Sequence, residues 1–175
     1  MIGMTKIPCI VMNASDQQSA LFAIIENVQR ENLDFFEEAV AIERLMTEYE
    51  GIRVYMENMF DVSPELLRKL SKRLEGTGFG VCLDVAHANL SKTPLDVWFK
   101  NLAPYIRHLH INDNDGMTDL HQPVGTGKIN WTLYRSLTEK FKINSSVLVE
   151  VASLENAEAS LQYMKEEGIY PFVNR

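Results

Sequence analysis

Residues 78–85 read GFGVCLDV, a continuous apolar run that closes on one carboxylate, Asp84. A run this short and this uniformly apolar reads as a strand buried on both faces. Three other segments share its plan. IRVYMENM at 52–59 carries Glu57 towards its end, IRHLHIND at 106–113 carries His110, and VLVEVAS at 147–153 carries Glu150. Helical signals lie between them. Ser63 caps a helix that starts at Pro64 and runs to Gly76, and Thr93 with Pro94 caps one over residues 94 to 104. Asn130 caps a helix from Trp131 to Lys142, and residues 155–167 form a last one, stopped by Gly168. Alternating strands and helices predict parallel strands covered by helices on their outer side.

Further out, IPCIVMNAS at 7–15 reads as another strand. From Glu31 to Glu50 the residues Phe35, Ala39, Ile42, Met46 and Tyr49 recur at helical spacing, and Gly51 ends the pattern. PFVNR at 171–175 is a candidate sixth strand. The fold expected is α/β, a partial β/α barrel forming a single domain over residues 1–175.

Composition narrows the function classes. At 175 residues and 20.0 kDa the chain is long enough for one real core. Its net charge of −7 and scattered Lys and Arg argue against a broad phosphate-binding face, so nucleic acid is not an expected partner. Cys9 and Cys82 lie in separate apolar runs and read as reduced thiols. MIGMTKIPCIVM has too short an apolar run for a secretory signal, and no stretch reaches the length of a membrane span, so a cytoplasmic location is expected.

The polar residues are placed more tellingly. Glu57, Asp84, His110 and Glu150 fall at the C-terminal ends of successive strands, and in a parallel barrel those ends converge on the face that binds ligands. Alternation puts Gly80, Cys82 and Asp84 on one side, and His108 with His110. Three converging carboxylates repel unless something compensates them, and a divalent cation does so. One imidazole with three carboxylates suits Mn²⁺, Zn²⁺, Co²⁺ or Mg²⁺ and leaves the choice among them open.

Polar residues are densest in HLHINDNDGMTDLHQPVGTGKINW, 108–131. With YMENM at 55–59, GVCLDVAHANL at 80–90 and LVEVAS at 148–153, this stretch resembles the xylose-isomerase-like TIM-barrel superfamily. That group holds sugar isomerases and epimerases, sugar phosphate isomerase/epimerase homologues and the endonuclease IV type of apurinic-site nuclease. The resemblance implies Glu57, Asp84, His110 and Glu150 as ligands of a divalent metal. It implies Glu57 and Glu150 as the residues that take and return a proton, through an enediolate, on a sugar or sugar phosphate. His87, Asp119 and His121 match positions that touch substrate or hold further metal. Gly125 and Gly127 read first as turn geometry, Asp113 and Asp115 as loop structure, Trp131 as helix packing and His108 as filling a lower barrel layer.

The resemblance starts at about the family's third strand, so strands 3 to 8 are expected and the first two are not. An open barrel exposes sheet edges, which predicts a homo-oligomer that completes or covers it. Where the nuclease has a metal-binding histidine on its third strand, Asn13 stands here. Two other readings follow: an endonuclease IV-like nuclease, and a degenerate half-barrel without catalytic activity.

Overall fold

A computed structural model describes residues 11–15, 18–19, 22–23, 46–47, 51–59 and 61–173. The chain divides into two compact units, residues 1–52 and 53–175. In the first, residues 11–15 are neither helix nor strand, whereas 18–19, 22–23 and 46–47 are helical. The start of the strand expected over 7–15, and most of the helix expected over 31–50, lie outside the described residues.

Among its described residues the second unit holds four parallel strands in the order β1 (Val54–Glu57), β2 (Phe79–Asp84), β3 (Ile106–Ile111) and β4 (Ser146–Val149). The helices that accompany them are α1 (Glu65–Arg73), α2 (Val85–Leu90), α3 (Leu95–Leu102), α4 (Trp131–Lys140) and α5 (Leu154–Glu166). This is an α/β fold, a parallel sheet with flanking helices that forms part of a TIM barrel.

The sheet's two faces differ as strand alternation requires. Val81, Leu83, Leu109 and Ile111 are fully buried in a core that includes Trp98, Phe99 and Tyr134 from α3 and α4. Phe99 meets the Tyr134 ring edge-on at 5.9 Å. Each such burial is worth about 1.5–3 kcal/mol, so this outer layer is the main source of the unit's stability. The opposite face carries Tyr55, Glu57, Cys82, Asp84, His108 and His110, and is polar towards its top.

One irregularity keeps the two faces in phase. Val81 pairs with Ile106 but Cys82 pairs with His108, so Arg107 is an extra residue in β3. It lets Ile106 face the core while His108 and His110 still share a side with Cys82 and Asp84. The stem of Arg107 lies over Gly80, where an added Cβ would sit 2.5 Å from Arg107 Cγ. Glycine is needed at that point to admit the bulge.

Several expected boundaries are corrected. Pro64 is already helical in its dihedrals and its carbonyl accepts from Arg68 N, so α1 starts at Glu65 with no side-chain cap from Ser63. Thr93 does not cap α3, because its hydroxyl donates to Val62 O at 2.6 Å. Val85 belongs to α2 rather than to the strand, since Asp84 Oδ1 accepts from His87 N at 2.7 Å and so caps a helix there. Asn130 does cap α4, accepting from Leu133 N, and Ser153 caps α5 in the same way. Residues 171–173 form a turn, with Phe172 N donating to Ile169 O, and are not strand.

Candidate metal centre

Register brings the strand ends together before any side chain is considered. Asp84 on β2 pairs with His110 on β3, Glu57 ends β1 beside Cys82, and Glu150 N donates to Ile111 O just beyond β4. One ligand atom from each of Glu57, Asp84, His110 and Glu150 lies within 4.8 Å of the others. His110 Nδ1 is 3.3 Å from Glu57 Oε1 and 3.0 Å from Glu150 Oε2.

Two asparagines that sequence reasoning missed hold the buried acid in place. Asn58 clamps the backbone of Asp84, accepting from its N–H at 2.7 Å and donating to its carbonyl at 2.9 Å. Asn112 Nδ2 donates to Asp84 Oδ2 at 3.4 Å. Both asparagines are buried and each follows a strand's last residues, which is the sequence signal that could have found them.

The electrostatics follow from this crowding. Hydrogen bonds from His110 and then His87 hold Glu57 down to about 2. Burial pushes Asp84 up to about 6. His87 is raised to about 9, first by its bond to Glu57, and His110 to about 10, first by its bond to Cys82 and then by Glu57. The imidazoles and the acids thus favour each other's charged forms.

The residues also fit a cation. Glu150 Oε2 is buried and has no hydrogen-bond partner, although His110 Nδ1 is 3.0 Å away. An acceptor-only oxygen without a hydrogen-bond donor, among two further carboxylates and an imidazole, belongs to a donor set for a hard or borderline divalent ion.

His87, Asp119 and His121 form a second tier. Asp119 Oδ2 lies 3.3 Å from His87 Nε2 and 3.2 Å from His121 Nε2. His87 Nδ1 approaches Asn58 O at 2.9 Å and Glu57 Oε1 at 3.4 Å, which ties this tier to the first. His121 has a positive φ of 46° and is anchored by Nδ1 to Glu150 O at 3.1 Å. A non-glycine residue in that conformation is held by its surroundings rather than by local preference.

The loop between β3 and α4 is built around another acid. Asp113 is fully buried, and its oxygens accept from Asn114 N, Ile129 N, Gly125 N and Trp131 Nε1. A Cβ on Gly127 would collide with Asp113 Oδ1 and Asn114 O. Gly125 has φ 88° and abuts the Tyr163 ring. Its amide is taken by Asp113, so the Gly-x-Gly segment serves the loop's own structure. Asp115 makes a local turn, accepting from Met117 N and Thr118 N at 2.8 Å each. His108 sits one layer below His110, bonded to Ser146 Oγ at 2.7 Å.

The sheet and the acids and imidazole at its strand ends define a barrel of the TIM class. The chain belongs to the xylose isomerase-like TIM barrel family, whose model matches residues 15–167. It is similar to an uncharacterized protein of Methanocaldococcus jannaschii, MJ1311, at 27% identity over 124 residues, covering 66% of this chain and 42% of that protein. Among solved structures, a D-tagatose 3-epimerase-like protein superposes with a TM-score of 0.65 at 24% identity, covering 75% of this chain and 53% of that one. The TTHB071 protein from Thermus thermophilus, in a structure from a ZnCl2 soak, gives 0.59 at 26% identity, covering 89% and 57%. The chain thus spans about half the length of the relatives it matches. A shorter match of a different kind is to the probable chromosome-partitioning protein ParB of Vibrio cholerae, 43% identical over 47 residues, 27% of this chain and 16% of that protein. No described helix is long and apolar enough to cross a membrane.

Proposed function

We propose that the second unit is the site-bearing part of a metal-dependent isomerase or epimerase acting on a sugar or sugar phosphate. The observation that carries this is the convergence of Glu57, Asp84, His110 and Glu150 within 4.8 Å, with a buried Glu150 oxygen lacking a hydrogen-bond partner. The names of the solved neighbours, D-tagatose 3-epimerase-like and D-psicose 3-epimerase among them, favour sugar substrates.

The four residues would hold Mn²⁺, Zn²⁺, Co²⁺ or Mg²⁺, and the zinc soak of TTHB071 favours an ion of this group. Such an ion supplies charge stabilisation for oxygens that become negative when a carbon-bound proton is removed. The chain's own residues do the rest. Glu150 and Glu57, on β4 and β1 ends at either side of His110, take the proton from carbon and return it. His87, held through Nδ1 by Asn58 O and Glu57, would exchange the Asp119 partner of its Nε2 for a substrate oxygen. Asp119 and His121 fix the rim of the pocket. The expected partner beyond substrate is a second copy of the chain covering the open face, where Leu148 is 46% exposed; light scattering at micromolar concentration should give a dimer mass.

The test is solvent deuterium uptake at carbon by ketoses and ketose phosphates, with and without Mn²⁺. Metal-dependent uptake that Glu150→Gln abolishes supports the reading. No divalent binding by elemental analysis under any loading condition would sink it.

A further inference from the structure

Below the carboxylates lies a second group of donors, of which the proposed chemistry uses only His110. Cys82, His108 and His110 each bring one ligand atom within 4.8 Å of the others. Cys82 pairs with His108 across β2 and β3, one layer below the Asp84–His110 pair, so the group is set by strand register and not by a mobile loop.

Its donors are of another kind. A thiolate and two imidazoles suit a soft or borderline ion, whereas the three carboxylates above suit a harder one. His108 is also oriented for the task. Ser146 Oγ holds His108 Nδ1 at 2.7 Å, and in the tautomer that carries its proton on Nδ1 the lone pair is left on His108 Nε2. Hydroxyl or carbonyl partners on the far nitrogen are how proteins fix a ligating imidazole. The Tyr55 ring, stacked at 6.4 Å, and the His110 ring, edge-on at 5.1 Å, hold His108 from either side.

We propose that Cys82, His108 and His110 form a second cation site under the carboxylate cluster, taking a soft or borderline divalent ion such as Zn²⁺ or Cd²⁺ and competing with the upper site for His110. Binding releases the Cys82 thiol proton to solvent as the metal–sulfur bond forms. A neutral imidazole offers a single lone pair, so His110 serves one ion at a time. The lower site then makes the protein's response to metals selective: an ion that prefers sulfur empties the upper site.

Cd²⁺ titration of the full chain is the test, read as sulfur-to-cadmium charge-transfer absorption in the ultraviolet. Cys9→Ser controls for the other thiol and should keep the band. Cys82→Ser should lose it, and His108→Gln should weaken Cd²⁺ binding at least tenfold while Cys82 remains. Glu150→Gln, which removes a carboxylate and no soft donor, should keep the band. In protein loaded with Mn²⁺, followed by the spin resonance of the released ion, Cd²⁺ should displace Mn²⁺ from wild type at least ten times more readily than from Cys82→Ser. A band that fails to form, survives Cys82→Ser or ignores His108→Gln overturns the site. Equal displacement in the two proteins overturns the sharing of His110.

Discussion

Asp113 and Glu150 are both acids on the far side of a strand, and they are treated in opposite ways. Asp113 receives four donors, three backbone amides and the Trp131 indole, and none of its capacity faces outward. Glu150 has a buried oxygen with no hydrogen-bond partner, 3.0 Å from the His110 ring in a cluster that holds two more carboxylates. The first is a keystone for a loop, and the second belongs to the cluster proposed to hold a metal. The density of polar residues does not separate them; the donors each receives do.

That contrast is open to four measurements. The largest effect is expected at the keystone. Asp113→Ala strands three buried donors and frees the part-buried Gly125 amide to water, and at about 1–3 kcal/mol for each unmet buried group the second unit should lose on the order of 4 kcal/mol or more in denaturant melts. A loss below about 1 kcal/mol would mean the loop has another organiser. At the other acid the signs part. Glu150→Gln should weaken Mn²⁺ binding about 100-fold, near 2.7 kcal/mol by calorimetry, while metal-free stability changes by less than about 0.5 kcal/mol. Equal damage to binding and folding would erase the distinction.

Proton competition gives a third, smaller effect. An imidazolium cannot ligate, and His110 is raised to about 10 by its bonds with Cys82 and Glu57, so each ion bound must displace its proton. Affinity should rise with pH by up to tenfold per unit between about pH 6 and 10. Below about 6, where Asp84 also takes up a proton because burial raises it, the slope should approach two protons per ion. A flat profile from pH 6 to 9 would remove His110 from the ligand set. The smallest effect is local: Asn130→Ala, which deletes the α4 cap downstream of the Asp113 loop, should cost about 1 kcal/mol and leave metal affinity alone.

The arrangement of strands and of the four convergent residues was legible because both depend on short-range rules. Apolar runs of six residues or so mark buried strands, and parallel register carries each run's final polar residue to the same edge. What was hidden depends on tertiary contact. Thr93 looks like a cap by type, yet Val62 O, 31 residues away in sequence, takes its hydroxyl. Asp84 looks like the end of a strand, and only its bond to His87 N shows that it also starts a helix. Asn58 and Asn112 gave no periodic signal, because one well-placed amide at a strand end has no pattern to repeat. The partner of Cys82 was hidden too, since a thiol in an apolar run reads as a small hydrophobe until the imidazoles across the sheet are seen.

The extra residue in β3 has a meaning for how such a strand can change over time. Counting every second position forward from Ile106 would turn both histidines towards the helices, and Arg107 absorbs that mismatch on the lower half of the strand. Above it the ladder from Cys82–His108 to Asp84–His110 is regular. Insertions and deletions at the lower rim are therefore insulated from the chemistry at the upper one. A β3 lacking Arg107 would pair without a bulge and still present His110 beside Asp84, and glycine at position 80 would no longer be compulsory.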